Sequence, residues 1–389
     1  MPGIAAAVVV AGFAVQPLLA SADAGDLPAI SADQLLVEVL EAEPQPLSGT
    51  VVYTADLGLP DLSEITKAVS GPALTADPAN LLAGTSTLRV WTDADARSRV
   101  TLQGTTSEFS VVHDRTQAWT YSSADGAVVH YALSETDQAR VAQLQALVEA
   151  GAFTVPGGMP TPTTVADDLL AQVGEHSTLS LDANVKVAGR SAYQLVLTPT
   201  STTTLVGRVT VAVDAQTRTP LQVAVWSRAD TQSPALQVGF TDVRFAMPSE
   251  QVLTWSTPAG ATVKEVTIPL PSDTELAGAE HAAPAVSVTG TGWDQVLTLT
   301  VPAGALDAQD LTALATAPGI MPEKAQEYAQ IAQGPHGAAV DPSALLDQLS
   351  TPVAGGRVIS SALLSVLLLD DGRVLLGAVP PATLVNLAG

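Results

Sequence analysis

The residues best suited to chemistry stand in the stretch RTQAWTYSSADGAVVHYAL, residues 115–133, which combines a histidine, an aspartate, a tryptophan and two tyrosines. A histidine near a carboxylate is suited to general acid–base catalysis, because its pKa lies close to neutral pH. The same stretch alternates on both sides of a Ser-Ala-Asp-Gly turn, as the two strands of a β-hairpin do. These residues are therefore either reagents of an active site or part of a sheet that holds something.

The rest of the chain offers little support for catalysis. None of the five histidines is spaced at i+3 or i+4 from another, so no local metal site is indicated. His113 precedes Asp114, but neighbouring strand residues point to opposite faces, which favours a strand end over a dyad. No nucleophile elbow, Walker loop or dinucleotide fingerprint occurs. We predict no enzyme activity, no metal and no cofactor.

The charge of the chain excludes some partners. A formal net charge of −23 argues against nucleic acid or an anionic membrane surface as a general partner. Hydrophobic residues make up 47% of the chain but aromatic residues only 4%, so the core must consist mainly of Ala, Val and Leu. The absence of cysteine means that the redox compartment cannot be inferred from cysteine usage.

The N-terminus predicts export. An apolar run over residues 4–20, which contains no charged residue, leads into Ala20-Ser21-Ala22 and matches the hydrophobic region and cleavage site of a signal peptide. No Lys or Arg precedes Lys67, so the basic start of a signal peptide is missing and an uncleaved membrane anchor stays open. We predict that residues 1–27 are a signal peptide or an N-terminal anchor of an extracytoplasmic protein.

Short segments rich in β-branched and aromatic residues, separated by turn residues, predict one large antiparallel sheet of about ten strands. Two amphipathic segments, residues 136–150 and 164–173, interrupt the strands and are predicted to cover one face of the sheet. A stretch rich in Pro, Ala and acidic residues marks a linker at 273–285. We therefore predict a main domain at 28–272, with a helix capped by Ser31 near its start and a hairpin that turns at residues 214–220. We also predict a small C-terminal α+β domain at 286–389, with a hairpin that turns at Asp370-Asp371-Gly372 and a short final helix.

Apolar residues alternate along several of these strands. Trp119 and Tyr121 share a face of their strand, as do Tyr193 and Leu195 of theirs. Such faces either form a core packed beneath the helices or line an apolar ligand cavity, because two helical segments are few for so large a sheet. The alternation alone supports both interpretations equally.

Four segments, in order, resemble a known family: LLVEVLEAEPQPLSGTVVYTADLGLPDL, LRVWTDADARSRVTL, VVHDRTQAWTYSSADGAVVHY and GRSAYQLVLTPTSTTTLVGRVTVAVDAQTRTPLQVAVW. Together they are similar to the LolA-like superfamily of exported lipid and lipoprotein carriers in its actinobacterial form. This superfamily includes LolA, mycobacterial lipid-binding lipoproteins and the RseB/MucB stress sensors. The resemblance covers roughly residues 28–270. The chain departs from the family in lacking a lipobox cysteine and in carrying a C-terminal unit that LolA lacks.

The resemblance implies an α+β fold in which an open, curved antiparallel half-barrel of about 10–11 strands is lidded by helices and holds acyl chains on its concave face. Together with the alternation of the strands, it leads to the following predicted ligand-binding wall: Val51, Tyr53, Val100, Phe109, Trp119, Tyr121, Tyr193, Leu195, Val209, Val211, Val223 and Val225. The predicted function is a non-enzymatic exported carrier of a lipid or lipidated protein. The alternative is an envelope-stress sensor that binds an anti-sigma factor or another membrane protein, which the additional C-terminal domain favours.

Overall fold

The computed structural model describes residues 27–59, 76, 78–115, 117–133, 161–164, 166, 176–268, 287–300 and 349–389. The predicted leader up to residue 26, the linker at 273–285, the predicted helix at 136–150 and most of the one at 164–173 lie outside the described residues. Residues 162–164 and 166, at the start of the second of these helices, are helical, and Ala166 is fully buried.

Twelve strands form one large sheet in the order β12-β6-β5-β4-β3-β2-β1-β11-β10-β9-β8-β7. Its strands are β1 (Leu47–Ala55), β2 (Gly84–Thr92), β3 (Arg97–Gln103), β4 (Glu108–Asp114), β5 (Gln117–Ser122), β6 (Ala127–Leu133), β7 (Ser177–Val187), β8 (Arg190–Pro199), β9 (Val206–Asp214), β10 (Pro220–Ser227), β11 (Leu236–Phe245) and β12 (Thr262–Ile268). The predicted large antiparallel sheet is confirmed. It has twelve strands where about 10–11 were predicted, and its last strand, β12, adds to β6 in parallel.

The sheet is strongly curved and does not close. Its two edge strands, β12 and β7, do not pair with each other. Cα atoms of β7 nevertheless come within 8 Å of β11, although three strands separate them in the sheet. This curvature agrees with the half-barrel that the family resemblance implies.

Helix α1 (Ala32–Leu40) packs on β7 and β8 near one edge of the sheet. The predicted cap is confirmed, because the Ser31 hydroxyl accepts a hydrogen bond from the Gln34 N–H at 3.1 Å. Leu35 and Val39, one turn apart, are buried in the core of the sheet, whereas Leu40 on the far side of the helix is 59% exposed. The amphipathic pattern therefore sets which side of the helix meets the strands.

Asp93 closes the turn between β2 and β3. One carboxylate oxygen accepts hydrogen bonds from the N–H groups of Asp95, Ala96 and Arg97, and the other accepts one from Arg97 Nε at 2.8 Å. Burial alone would raise the pKa of Asp93, but the hydrogen bonds from Arg97 and the turn backbone outweigh it and lower the pKa to about 2. The carboxylate is thus held charged at neutral pH.

We expect Asp93→Asn to lower the free energy of unfolding at pH 7 by on the order of 2 kcal/mol. Because the folded-state pKa is lowered, the stabilisation exists above the unfolded pKa of about 3.9 and disappears as the pH falls toward about 2. Urea unfolding at a series of pH values measures this, with Asp95→Asn, at an exposed position of the same turn, as the control. A stability difference that persists unchanged at pH 2 would contradict the expectation.

A second, six-stranded sheet has the order β13-β14-β18-β17-β16-β15. Its elements are β13 (Ser287–Thr289), β14 (Val296–Thr300), β15 (Ser350–Val353), β16 (Gly356–Ser360), β17 (Ser365–Leu369), β18 (Arg373–Gly377) and helix α2 (Pro381–Ala388). The predicted hairpin at Asp370-Asp371-Gly372 and the predicted final helix are both confirmed. Helix α2 inserts Leu384, fully buried, into an apolar cluster with Leu367 and Leu375.

The second sheet docks against one end of the large sheet. Trp293, 9% exposed, joins the core of the large sheet, and its Nε1–H donates to Ser177 Oγ at 2.7 Å. The Ala378 carbonyl accepts hydrogen bonds from Leu205 N–H at 2.7 Å and from Thr204 Oγ1 at 2.8 Å. We call the end of the large sheet that contacts the second sheet the docked end. The opposite end contains the β7–β8 and β9–β10 turns, and we call it the turn end.

Candidate functional site

Strand pairing divides the large sheet into two faces. Tyr53 lies opposite Val238, which lies opposite Val223, followed by Val211 and Leu195 in the next strands. Side chains of directly paired residues point to the same face of a sheet. We call the face that carries this row the core face and the opposite one the outer face.

Ten of the twelve predicted wall residues lie on the core face. They are Val51, Tyr53, Val100, Phe109, Tyr193, Leu195, Val209, Val211, Val223 and Val225. All ten belong to, or pack against, one hydrophobic cluster. The sequence pattern therefore grouped side chains from six strands correctly, and their role in ligand binding stays a prediction.

Trp119 and Tyr121 lie on the outer face, which corrects the prediction of a single wall. Trp119 pairs with Val112, whereas Phe109 of the core face pairs with Ser122. Within one strand, alternation identifies which residues share a face, but only the register with the next strand shows which face it is. At the positions where the wall was expected to continue, β5 places Ala118, Thr120 and Ser122 on the core face.

The two aromatic residues instead form a cluster with Trp255 and His130. Trp119 stacks on His130 with ring centroids 4.8 Å apart and on Trp255 at 6.0 Å, and Tyr121 meets Trp255 at 6.3 Å. The ring nitrogens of His130 form hydrogen bonds with Glu265 Oε2 at 2.6 Å and Gln117 Oε1 at 2.9 Å, two partners that the sequence did not indicate. The missing signal was the position of β12, because Glu265 reaches His130 only through that parallel pairing.

The segment between β11 and β12 covers this aromatic cluster. It contains a short helical turn, Glu250–Leu253, in which Leu253 is fully buried. Arg97 donates two hydrogen bonds to the Glu250 carboxylate, at 2.7 and 3.1 Å. Trp119 and Tyr121 therefore pack beneath the segment between β11 and β12, which crosses the outer face.

Burial on the core face varies from one position to the next. Leu195 in β8 and Val51 in β1 are completely buried. Tyr53 in β1, Val100 in β3 and Phe109 in β4 are only half-buried, although they belong to the same apolar surface. Burial raises the pKa of the Tyr53 hydroxyl. The half-buried side chains are where an apolar ligand would gain contact area.

A pocket of about 590 Å³ opens at the turn end of the core face. Its apolar part includes Leu27, Ile30 and Tyr193, all of which also contact the core cluster. Its polar part comes from α1 and from the two turns, with Glu38, Arg190 and Asp214 among the lining residues. Tyr193 is the predicted wall residue that lines this pocket, and its hydroxyl donates to the Pro28 carbonyl at 2.9 Å.

Asp214 organises the polar part of the pocket. It is 1% exposed and accepts from Arg190 Nε at 2.6 Å and Nη2 at 2.9 Å, and from the Thr217 N–H and hydroxyl. Burial alone would raise the pKa of Asp214, but the hydrogen bonds from Arg190 and Thr217 outweigh it and lower the pKa. The result is a buried, charged Asp214–Arg190 pair at the base of the pocket.

Arg218 lines the same pocket from the turn that follows Asp214, where its N–H donates to the Asp214 carbonyl. Its Nε donates to Glu38 Oε2 at 2.6 Å, and its guanidinium lies 5.4 Å from the centre of the Tyr193 ring. The pKa of Glu38 is lowered by the hydrogen bonds from Arg218 and Gln34. Both members of this second ion pair are partly exposed, unlike Asp214.

Within the described part of the chain, no group of three or more acidic, histidine or cysteine side chains is arranged to hold a metal ion. Among the described helices, none has the length and apolar character needed to cross a membrane.

Comparisons with known proteins return structures only, since no family model and no curated protein matches the chain. One match is the complex structure of Pseudomonas aeruginosa MucA/MucB, 17% identical, with a TM-score of 0.41 over 92% of this chain and 96% of that chain. A LolA superfamily protein from Nitrosomonas europaea is 10% identical, with a TM-score of 0.22 over 58% of this chain and 99% of that one. An outer membrane lipoprotein-sorting protein domain from Vibrio parahaemolyticus is 12% identical, with a TM-score of 0.21 over 57% of this chain and 93% of that one. These three structures are 10–17% identical to the chain.

Proposed function

We propose that this chain is an extracytoplasmic, non-enzymatic carrier that holds the apolar part of a lipid or lipidated protein on the core face of its large sheet. The observation that carries the proposal is the unequal burial of that face. Completely buried side chains such as Leu195 and Val51 adjoin half-buried apolar ones, among them Val100 and Phe109. A ligand that covers this surface removes apolar area from water, the dominant favourable term in such binding.

The composition of the core face supports an acyl chain over a polar ligand. The ten predicted wall residues on it are aliphatic or aromatic, and its deepest members belong to one continuous cluster. Binding sites for apolar ligands are lined in this way, with a small number of polar groups at one side. The polar groups here lie at the turn end, around Arg190 and Asp214.

The non-enzymatic assignment is supported by the surroundings of His130. Both of its ring nitrogens are engaged, by Gln117 and by Glu265, and its ring stacks on Trp119. These contacts fix the ring within the outer-face cluster. We infer that His130 joins β12 to the sheet and does not transfer protons to a substrate.

Export is supported by the apolar run over residues 4–20 and the Ala-Ser-Ala sequence at its end. The family resemblance supports the same compartment. The compared proteins suggest two kinds of partner: the MucB structure contains MucA, and the Vibrio protein is described as lipoprotein-sorting. We propose the second kind, a lipid or lipidated chain, because the core face offers an apolar surface.

Filling the half-buried part of the core face should block binding. We expect Val100→Trp to weaken uptake of a fluorescent fatty-acid probe by about tenfold to a hundredfold, since overpacking an apolar site costs about 1–3 kcal/mol. The matched control is Val263→Trp on the outer face of β12, where the valine is 43% exposed. Fluorescence titration of both variants against the wild-type protein measures the difference.

Equal uptake by the two variants, with wild-type circular dichroism for both, would contradict binding on the core face. Failure of the wild-type protein to take up any acyl probe, together with recovery of one stoichiometric protein partner by crosslinking, would instead favour the sensor alternative.

A further inference from the structure

We propose that the pocket at the turn end binds the anionic head group of the carried amphiphile, and that Arg218 exchanges Glu38 for that anion. This inference rests on the proposed function and adds to it a chemical class of ligand: a single apolar tail with one negatively charged head, carboxylate or phosphate. The tail would lie on the core face and the head in the pocket.

The pocket has the right size and polarity for this role. Its volume of about 590 Å³ falls within the roughly 300–1,000 Å³ that small-ligand sites occupy. Leu27, Ile30 and Tyr193 line it and also contact the core cluster, so its apolar part is continuous with the predicted wall. A ligand that enters the pocket can therefore remain in apolar contact along its tail.

One of the two guanidinium groups in the pocket is not exchangeable. Arg190 forms a two-pronged hydrogen bond with Asp214, which is almost fully buried and also accepts from Thr217. Separating this pair would leave a buried carboxylate without its counter-charge, which is strongly unfavourable. The pair therefore contributes shape and hydrogen-bonding capacity, and its charges cancel.

The other guanidinium is exchangeable. Arg218 pairs with Glu38, a residue of α1, and the side chains are 25% and 33% exposed. An ion pair this open to water contributes little, because solvent screens it and two long side chains must be ordered. When Glu38 turns away, Arg218 presents one unneutralised guanidinium, whose planar fork matches a carboxylate or phosphate.

The backbone holds Arg218 at this position. Its φ of 60° lies in the left-handed region, which non-glycine residues adopt rarely and at an energetic cost. The guanidinium also donates to the Ala215 carbonyl within the same turn and rests above the Tyr193 ring. The cation is thus anchored at the pocket mouth by contacts that do not involve Glu38.

The geometry of the sheet gives the ligand a direction. The pocket lies at the start of β8, and Trp293 closes the other end, where its indole bonds to Ser177 beside the end of β8. The ten residues of β8 span about 33 Å at ~3.3 Å per residue. Because Leu195 and Leu197 of β8 are already completely buried, an acyl tail with its head at Arg218 would leave the line of β8 and cross the core face toward the half-buried Val100 and Phe109.

Competition binding with palmitate and with hexadecanol, which share a tail and differ in head charge, tests the site. We expect Arg218→Gln to weaken the binding of palmitate by about tenfold or more, because a charge-assisted hydrogen bond is lost. The affinity for hexadecanol should stay within about twofold of the wild-type value. Glu38→Gln should strengthen the binding of palmitate, because it removes the carboxylate that competes for Arg218. Arg218→Lys should restore part of the palmitate affinity, which a merely structural role would not predict.

The outcomes separate the two proposals. If neither probe binds the wild-type protein, the proposed function fails and the head-group site with it. If both bind but Arg218→Gln affects them equally or not at all, only the head-group site is overturned. If inorganic phosphate alone displaces palmitate but not hexadecanol and binds the protein without a tail, the site takes free phosphate, and the lipid assignment is overturned.

Discussion

Asp214→Asn is expected to lower the free energy of unfolding at pH 7 by about 3 kcal/mol or more, because it leaves Arg190 without its buried counter-charge. Asp214 is 1% exposed and accepts two hydrogen bonds from Arg190 at 2.6 and 2.9 Å. The substitution also weakens the β9–β10 turn, since Thr217 donates to the same carboxylate through its N–H and its hydroxyl. Chemical denaturation with a tryptophan fluorescence readout measures the loss.

The pH dependence of this effect has a defined sign. The pKa of Asp214 is lowered in the folded protein, so the carboxylate stabilises the fold above its unfolded pKa of about 3.9. That stabilisation is lost as the pH falls through the lowered value, and the stabilities of the wild type and variant should converge there. Asp242→Asn, at an exposed position in β11, is the matched control and should change stability by less than about 0.5 kcal/mol. A loss as large in the control would contradict a specific role for the Arg190 pair.

Trp293→Ala is expected to lower the free energy of unfolding by about 3–5 kcal/mol and to release the second sheet from the first. Trp293 is 9% exposed, belongs to the core cluster of the large sheet and donates to Ser177 Oγ at 2.7 Å. Its removal leaves a cavity at the docked end, while the cluster around Leu367 and Leu384 keeps its own contacts. Calorimetry should therefore show two transitions in the variant where the wild type shows one.

The control for this prediction is Trp226→Ala. Trp226 is half-buried on the outer face of β10, where the Arg208 guanidinium lies 4.2 Å from its ring centre. Loss of such a contact costs about 1 kcal/mol, and the two sheets should remain docked. If Trp293→Ala unfolds in one transition with a cost no greater than the control, Trp293 does not hold the sheets together.

The sequence allowed the sheet to be predicted because local chemistry decides most of it. The alternation of Val209 and Val211 with Arg208 and Thr210 and the turn before Pro220 specify a hairpin wherever it lies in the fold. Ser31 marks the start of α1 for the same local reason. Such features depend on residues close in sequence, and the structure has them where they were expected.

The features that were missed depend on long-range pairing. The outer-face position of Trp119 follows from the register of β4 and β5, and the partner of His130 follows from the parallel addition of β12 more than a hundred residues later. The pocket combines Glu38 of α1 with Arg190 and Arg218 from two turns. No periodicity within a single segment carries this information, because each contact is made only when distant strands are aligned.

The most direct test of the carrier account is native mass spectrometry of the protein purified from its own cells, followed by release and identification of any bound molecule. The account predicts a mass shift above that of the chain, an acyl-containing anionic amphiphile after denaturation, and loss of that adduct in Val100→Trp but not in Val263→Trp. Recovery of the bare chain alone, with no uptake of an added fatty-acid probe, would contradict it.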